Sequence, residues 1–249
     1  MSQTKERPIL FSSPMVRAIL EGRKTVTRRA LNAQSLKNIG YGVQLGECHE
    51  LPSEGPLHPN SIGYYTDFCP FGQPGDRLWV RETWYCDHFE VQKGPYLQPA
   101  DMHDLDQSRE DGELVYAADG LAPYEQDQPT WKPSIHMPRW ASRILLEITA
   151  VRVERLQDIG EDQAKAEGCF FTDYGQQCAH GGTGWKDIGI CPAVVGHRQR
   201  TGWAWDKTTS HEECLGSPRW AFANLWNATG GDWDANPWVW VVEFKRVTP

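Results

Sequence analysis

The chain has 249 residues, 39% hydrophobic and 11% aromatic, which supplies a core and argues against a wholly disordered polymer. Lys and Arg number 25 against 33 Asp and Glu, a formal charge of −8, which excludes a coat along duplex DNA held by counterion release. The same balance still allows a local basic pocket for one nucleotide or a short single strand, so charge argues for a site. No apolar run approaches the ~20 residues that cross a bilayer, and Lys5, Glu6 and Arg7 precede no signal-peptide pattern. The expectation is a soluble cytoplasmic protein with no membrane partner. The seven Cys are odd in number, widely spaced and free of CxxC, which suits reduced thiols better than a disulfide framework.

In chain order, the first expected element is a helix. Ser13 suits its N-cap, Pro14 its first position, and Met15/Ile19 with Val16/Leu20 its apolar face, with Gly22 as the stop. Residues 33–75, rich in Gly, Pro and Asn, read as loops with little regular structure. Pro74-Gly75-Asp76 then turns into a strand over 77–84, with Leu78, Val80 and Trp84 on one face. The segment from about 87 to 129 is acidic and broken by Pro and Gly, an excursion with a strand only around Leu114–Ala117. Order returns with a β-branched, alternating strand over 143–153 and a short helix over Glu161–Glu167, closed by Gly168. Residues 169–216 are Gly-rich and hold four Cys and three His, a second excursion. Ser217 caps a last helix with Pro218 at its first position and Trp220, Ala223, Leu225 and Trp226 as packing residues. The closing strand, Trp238–Phe244, is apolar on both faces and therefore central. Separated strands with short helices predict one α+β barrel over 1–249 rather than alternating βαβ units.

The sharpest chemical signal is Gly22-Arg23-Lys24-Thr25-Val26-Thr27-Arg28-Arg29, four cations and two hydroxyls in an acidic chain. Such a cluster costs repulsion unless carboxylates or an anionic or carbonyl-bearing ligand compensate it. A solvated basic turn is the plain alternative. Arg81 and Glu82 are candidates to line a cleft, or else a cross-strand ion pair. Trp79, Trp84 and Trp140 offer base stacking or core packing. Cys178, His180, Cys191, His197, His211 and Cys214 are zinc-type ligands, but their spacing matches no standard finger, and no metal is expected. No P-loop, GxGxxG or Ser-His-Asp elbow is present.

The helix, the G-x-K-x-x-T-x-R pattern after it and the PGD turn before a strand together resemble the ASCH family signature. The resemblance continues through Pro138-Arg139-Trp140-Ala141-Ser142-Arg143, the strand to Val153, the Leu156–Gly168 block and the closing strand. It covers most of 7–244 and leaves 33–65, 87–129 and 169–216 as insertions, and is similar in particular to longer phage and prophage members. It implies a PUA-like mixed β-barrel with flanking short helices and long loop insertions, and a nucleoside or short RNA as partner. Some small bacterial members are amidohydrolases of N(4)-acetylcytidine that use a Lys, a Thr and a Glu. Their motifs place these on Lys24, Thr27 and, in Glu161-Asp162-Gln163-Ala164-Lys165-Ala166-Glu167, on Glu167. The neighbouring Arg23, Arg28 and Arg29 then become substrate-binding candidates, with Arg81 and Glu82. No cofactor is implied. An RNA- or modified-base-binding module without turnover, and a ribonuclease, remain alternatives. Lys24 and Thr27 would face opposite sides of a regular strand, so this reading requires a turn or bulge between them.

Overall fold

The computed structural model describes residues 4–92, 94–120, 131–172, 177–178, 186–187, 202–208 and 213–248. Its frame is a mixed five-stranded sheet of β1 (Glu6–Leu10), β2 (Val26–Ala30), β3 (Arg77–Arg81), β6 (Leu145–Arg155) and β11 (Trp238–Val247). The spatial order is β1-β3-β6-β11-β2; β1 and β3 are parallel and every other pair is antiparallel. The class is therefore α+β. Among the described residues no backbone pairing joins the two edge strands, β1 and β2, and a seam is left between them. Strand β1 carries Pro8, which an edge position tolerates because one side of the strand needs no N–H donor. Short and containing a proline, this strand carries no strand signal in the sequence alone.

Strand β11 is central, as its two apolar faces predict: Val239, Trp240, Val241 and Val242 have no solvent exposure. Helix α1 (Ser13–Leu20) lays Met15, Val16, Ala18 and Ile19 into the core. Its N-cap is Ser12 rather than Ser13, in extended backbone and without a side-chain cap bond. Helix α7 (Pro218–Ala228) begins at Ser217, whose hydroxyl accepts from Trp220 N at 3.2 Å. Its buried face is Ala221, Phe222, Ala223 and Leu225, while the expected Trp220 is 54% exposed. Phe222 and Leu225 are three apart on one face, and Trp220 lies off that stripe.

The segment read as loops over 33–75 contains α2 (Ala33–Gln44) and α3 (Ile62–Asp67). Asn32 caps α2 by accepting from Ser35 N at 2.8 Å. Gly42, which read as a breaker, lets the Tyr64 ring approach: a Cβ there would lie 2.4 Å from it.

The expected strand over 77–84 is interrupted at Glu82–Thr83. Past the break, β4 (Trp84–Cys86) leaves the main sheet and pairs with β5 (Leu114–Tyr116). Strand β5 and the short helices α4 (Phe89–Gln92) and α5 (Leu105–Glu110) belong to the acidic excursion, which shares with β4 and Met137 a separate apolar cluster around Trp84, Leu114 and Tyr116. Helix α6 (Glu161–Ala166) precedes β7 (Phe170–Phe171), which pairs with β10 (Trp203–Ala204), while β8 (Gln177–Cys178) pairs with β9 (Lys186–Asp187). No helix among the described residues is long and apolar enough to cross a membrane.

Candidate functional site

Gly22, at φ +76°, turns the chain out of α1, and the N–H groups of Arg23 and Lys24 both donate to Ala18 O at 2.9 Å. Lys24 then forms an isolated antiparallel bridge with Glu167, and Thr25 N donates to Ala166 O at 2.8 Å. Regular pairing in β2 begins only at Val26, with Lys24 turned instead to Glu167 and Thr25 O accepting from Phe244 N at 2.9 Å. This break lets Lys24 and Thr27 line the same cavity. It is the irregularity the sequence reading required.

Glu167 is the C-cap of α6, and Gly168 follows at φ +107°. A Cβ on Gly168 would come within 2.9 Å of the Ala18 Cβ, so glycine is needed where the chain leaving α6 passes α1. That approach brings the Glu167 carboxylate to the cations. Lys24 Nζ donates to Glu167 Oε2 at 2.5 Å and to the Glu167 carbonyl at 3.0 Å. Arg28 Nη1 donates to Glu167 Oε1 at 3.2 Å; Arg28 Nη2 reaches Glu154 Oε2 at 3.2 Å and Gln163 Oε1 at 3.3 Å. Lys24, Thr27, Arg28 and Glu167 are each at most 3% exposed. Burial drives the Lys24 pKa below the ordinary lysine value, and the Glu167 carboxylate opposes that fall without cancelling it.

The cavity has a volume of about 550 Å³ and lies at the seam between β1 and β2. Lys24, Thr27 and Glu167 all line it, and Phe11, Met15, Phe71 and Phe222 add apolar lining. The Thr27 hydroxyl makes no hydrogen bond to the described residues, so its donor and acceptor are both available to a ligand. Beside the pair, burial and the Glu167 charge push the Cys169 thiol up to about 12.

The structure sorts the remaining candidates. Arg28 and Arg29 line the cavity. Arg23 does not: it donates to Gly168 O at 2.5 Å, pairs with Glu21, and its guanidinium sits 4.4 Å from the Phe170 ring centroid. Arg81 is also remote from the cavity, with Nε donating to Met137 O at 3.0 Å and Nη2 to Ile135 O. Glu82 is held by Arg143 through two bonds of 3.0 Å, and Arg143 also binds Asp119. The ion-pair reading of Glu82 therefore replaces the cleft-lining one, with Arg143 rather than a strand neighbour of Arg81 as partner. Trp84 is fully buried with edge contacts to Trp140 and Tyr96, so those two tryptophans pack rather than present a stacking face. Trp79 sits under the Arg81 guanidinium. Of the zinc-type residues, His180, Cys191, His197 and His211 lie outside the described residues, and only the backbone of Cys178 is described; among the described residues no group of three His, Cys, Asp or Glu is placed to hold a metal.

Reading residue types alone missed Phe222, Phe11 and the β1 wall, which are apolar and carry no chemical signature. Glu154 was also missed, because its contact with Arg28 reaches across the intervening strand β11 and leaves no local signature. No family model matches the chain, no curated protein matches it, and no solved structure matches it.

Proposed function

We propose that the chain is an ASCH-type protein, its sheet a PUA-like barrel open at one seam, and that its cavity hydrolyses the amide of an N(4)-acylcytidine. The observation that carries this reading is the buried Lys24–Glu167 contact of 2.5 Å in a cavity that Thr27, its hydroxyl uncommitted, also lines. A threonine hydroxyl is a weak nucleophile and needs a base beside it. Loss of the Lys24 proton to solvent leaves a neutral amine while Arg28 keeps the Glu167 carboxylate neutralised; the amine then takes the Thr27 proton as Oγ attacks the acyl carbon. The C–N bond breaks, N(4) receives that proton from Lys24, and cytidine leaves. A water then gives one proton to Lys24 as its oxygen attacks the threonyl ester; the acyl C–Oγ bond breaks, Lys24 returns that proton to Thr27 Oγ, and the carboxylic acid leaves. Arg28 holds Glu167 in position throughout, as the third member of a triad orients its base. The route draws on no cofactor.

A second reading, binding of a modified base without turnover, is favoured by the aromatic walls at Phe11, Phe71 and Phe222. Incubating the protein with N(4)-acetylcytidine and following cytidine release separates the two. Release at a rate that scales with protein concentration supports the hydrolase. Binding of the nucleoside with no release moves the conclusion to the binding module.

A further inference from the structure

The four cations of the Arg23–Arg29 segment divide by their partners. Arg23 pairs with Glu21, Lys24 with Glu167, and Arg28 with Glu167 and Glu154. Arg29 has no carboxylate partner among the described residues. Its hydrogen bonds go to two backbone carbonyls, Leu10 O from Nη2 at 2.7 Å and Arg28 O from Nη1 at 3.5 Å. These satisfy some of the five guanidinium donors but bring no formal negative charge. The side chain lines the cavity, with its guanidinium carbon 5.2 Å from the Phe11 ring centroid. Lys24 Nζ lies 5.6 Å from the same centroid, so the uncompensated cation and the proposed base flank one aromatic ring. Burial lowers the Arg29 pKa from the ordinary guanidinium value, and Glu167 opposes that only in part. Arg29 is half-buried, and a partly desolvated cation without a counter-ion is stabilised by a ligand that supplies one.

We infer that Arg29 receives an anionic group of the substrate, so that the cavity takes a nucleotide, or a nucleoside whose acyl chain ends in a carboxylate, in preference to a neutral nucleoside. The planar fork of the guanidinium suits both oxyanions. This inference rests on the cavity being the substrate site proposed above, and not on amide hydrolysis taking place there.

Calorimetric titration at low salt tests it with two matched pairs: cytidine 5′-monophosphate against cytidine, and N(4)-succinylcytidine against N(4)-acetylcytidine. A charge-assisted contact of this kind corresponds to roughly ten- to a hundredfold tighter binding of one anionic probe than of its neutral partner. A preference within the first pair assigns the anion to the phosphate, and within the second to the acyl chain. Arg29→Gln is expected to bring the preferred ratio close to one, and Arg29→Lys, which keeps the charge, to retain part of it. Ratios near one for both pairs in the wild type, a ratio that survives Arg29→Gln, or no binding of either anionic probe at millimolar concentration would each overturn the inference. An Arg29-dependent preference without any cytidine release leaves it standing and removes the hydrolase reading instead.

Discussion

Lys24 and Glu167 are a buried pair whose balance is set by a third group. Two cations, Lys24 and Arg28, contact one carboxylate, and Arg28 is shared with Glu154. Losing the Lys24 proton therefore does not strand Glu167, because Arg28 still neutralises it. That arrangement makes a neutral amine accessible, and desolvation pushes in the same direction by disfavouring the ammonium. If the amine is the base, kcat/KM on N(4)-acetylcytidine should rise with pH and level off below the ordinary lysine range. Lys24→Ala should lower kcat by roughly two to four orders of magnitude, the usual worth of a positioned base. Lys24→Arg should fail as badly, since a guanidinium keeps its proton near neutral pH. A Lys24→Arg protein that turns over substrate at a tenth of the wild-type rate or better would rule out the base. This part of the site was legible in the sequence because polar residue types carry chemistry at fixed spacing. The sharing of Glu167 between Lys24 and Arg28 was not, since it depends on the chain leaving α6 pairing with the chain leaving α1, 143 residues away in sequence.

At the scale of elements, Gly168 couples fold to site. Its φ of +107° is open to glycine and strained for any other residue, and the Ala18 methyl occupies the space a side chain would need. Gly168→Ala should therefore destabilise the protein by about 1–3 kcal/mol from backbone strain, with the Ala18 clash added. Adding Ala18→Gly should return the clash contribution and not the strain, leaving the double variant between the two. Urea unfolding of the two single variants and the double one reads this directly; a double variant no better than Gly168→Ala means the Ala18 contact is relieved by backbone movement. The helix stop at Gly168 was legible, as were the capping of α7 by Ser217 and the central β11, because each rests on a local rule. Helix α2 was not. Gly40 and Gly42 weaken its intrinsic propensity, and it forms because Asn32 caps it and Ile39 and Gly42 pack inward. Tertiary contact with Tyr64, 22 residues beyond Gly42, cannot be seen in a local window. Strand β1 escaped for a related reason: its pattern is short, contains Pro8 and acquires meaning only when β3 arrives beside it in parallel.

At the scale of the molecule there are two apolar clusters, one on the main sheet and one around Trp84, Leu114 and Tyr116. The break between β3 and β4 joins them, and the Arg143–Glu82–Asp119 ion pairs stand at that join. Each cluster holds a buried acid whose titration is pushed far into alkali, beside other buried thiols or phenols raised less. Tyr116, whose hydroxyl donates to Ala141 O at 2.7 Å, is pushed by burial from 10.0 up to about 12. Cys169, in the main cluster, is pushed from 9.0 up to about 12, again chiefly by burial. Both folded values lie above the unfolded ones, so the unfolded chain gives up these protons first as pH rises. Each group therefore contributes stability that is fully present below its unfolded pKa and is lost as pH rises through about 12. At about 1.4 kcal/mol per pKa unit, the losses are of the order of a few kcal/mol for each. Urea unfolding of the wild type from pH 8.5 to 11.5 should show falling stability, and Tyr116→Phe and Cys169→Ala should each flatten that fall while carrying their own fixed cost at low pH. If the two clusters unfold as one unit, both variants alter the slope of a single transition and their effects add in the double variant. If the second cluster opens by itself, Tyr116→Phe changes the alkaline slope of one transition only, seen by fluorescence of Trp84, while Cys169→Ala changes the other. Two transitions with separate pH slopes would mean that the cavity at the seam keeps its walls after the acidic excursion has unfolded.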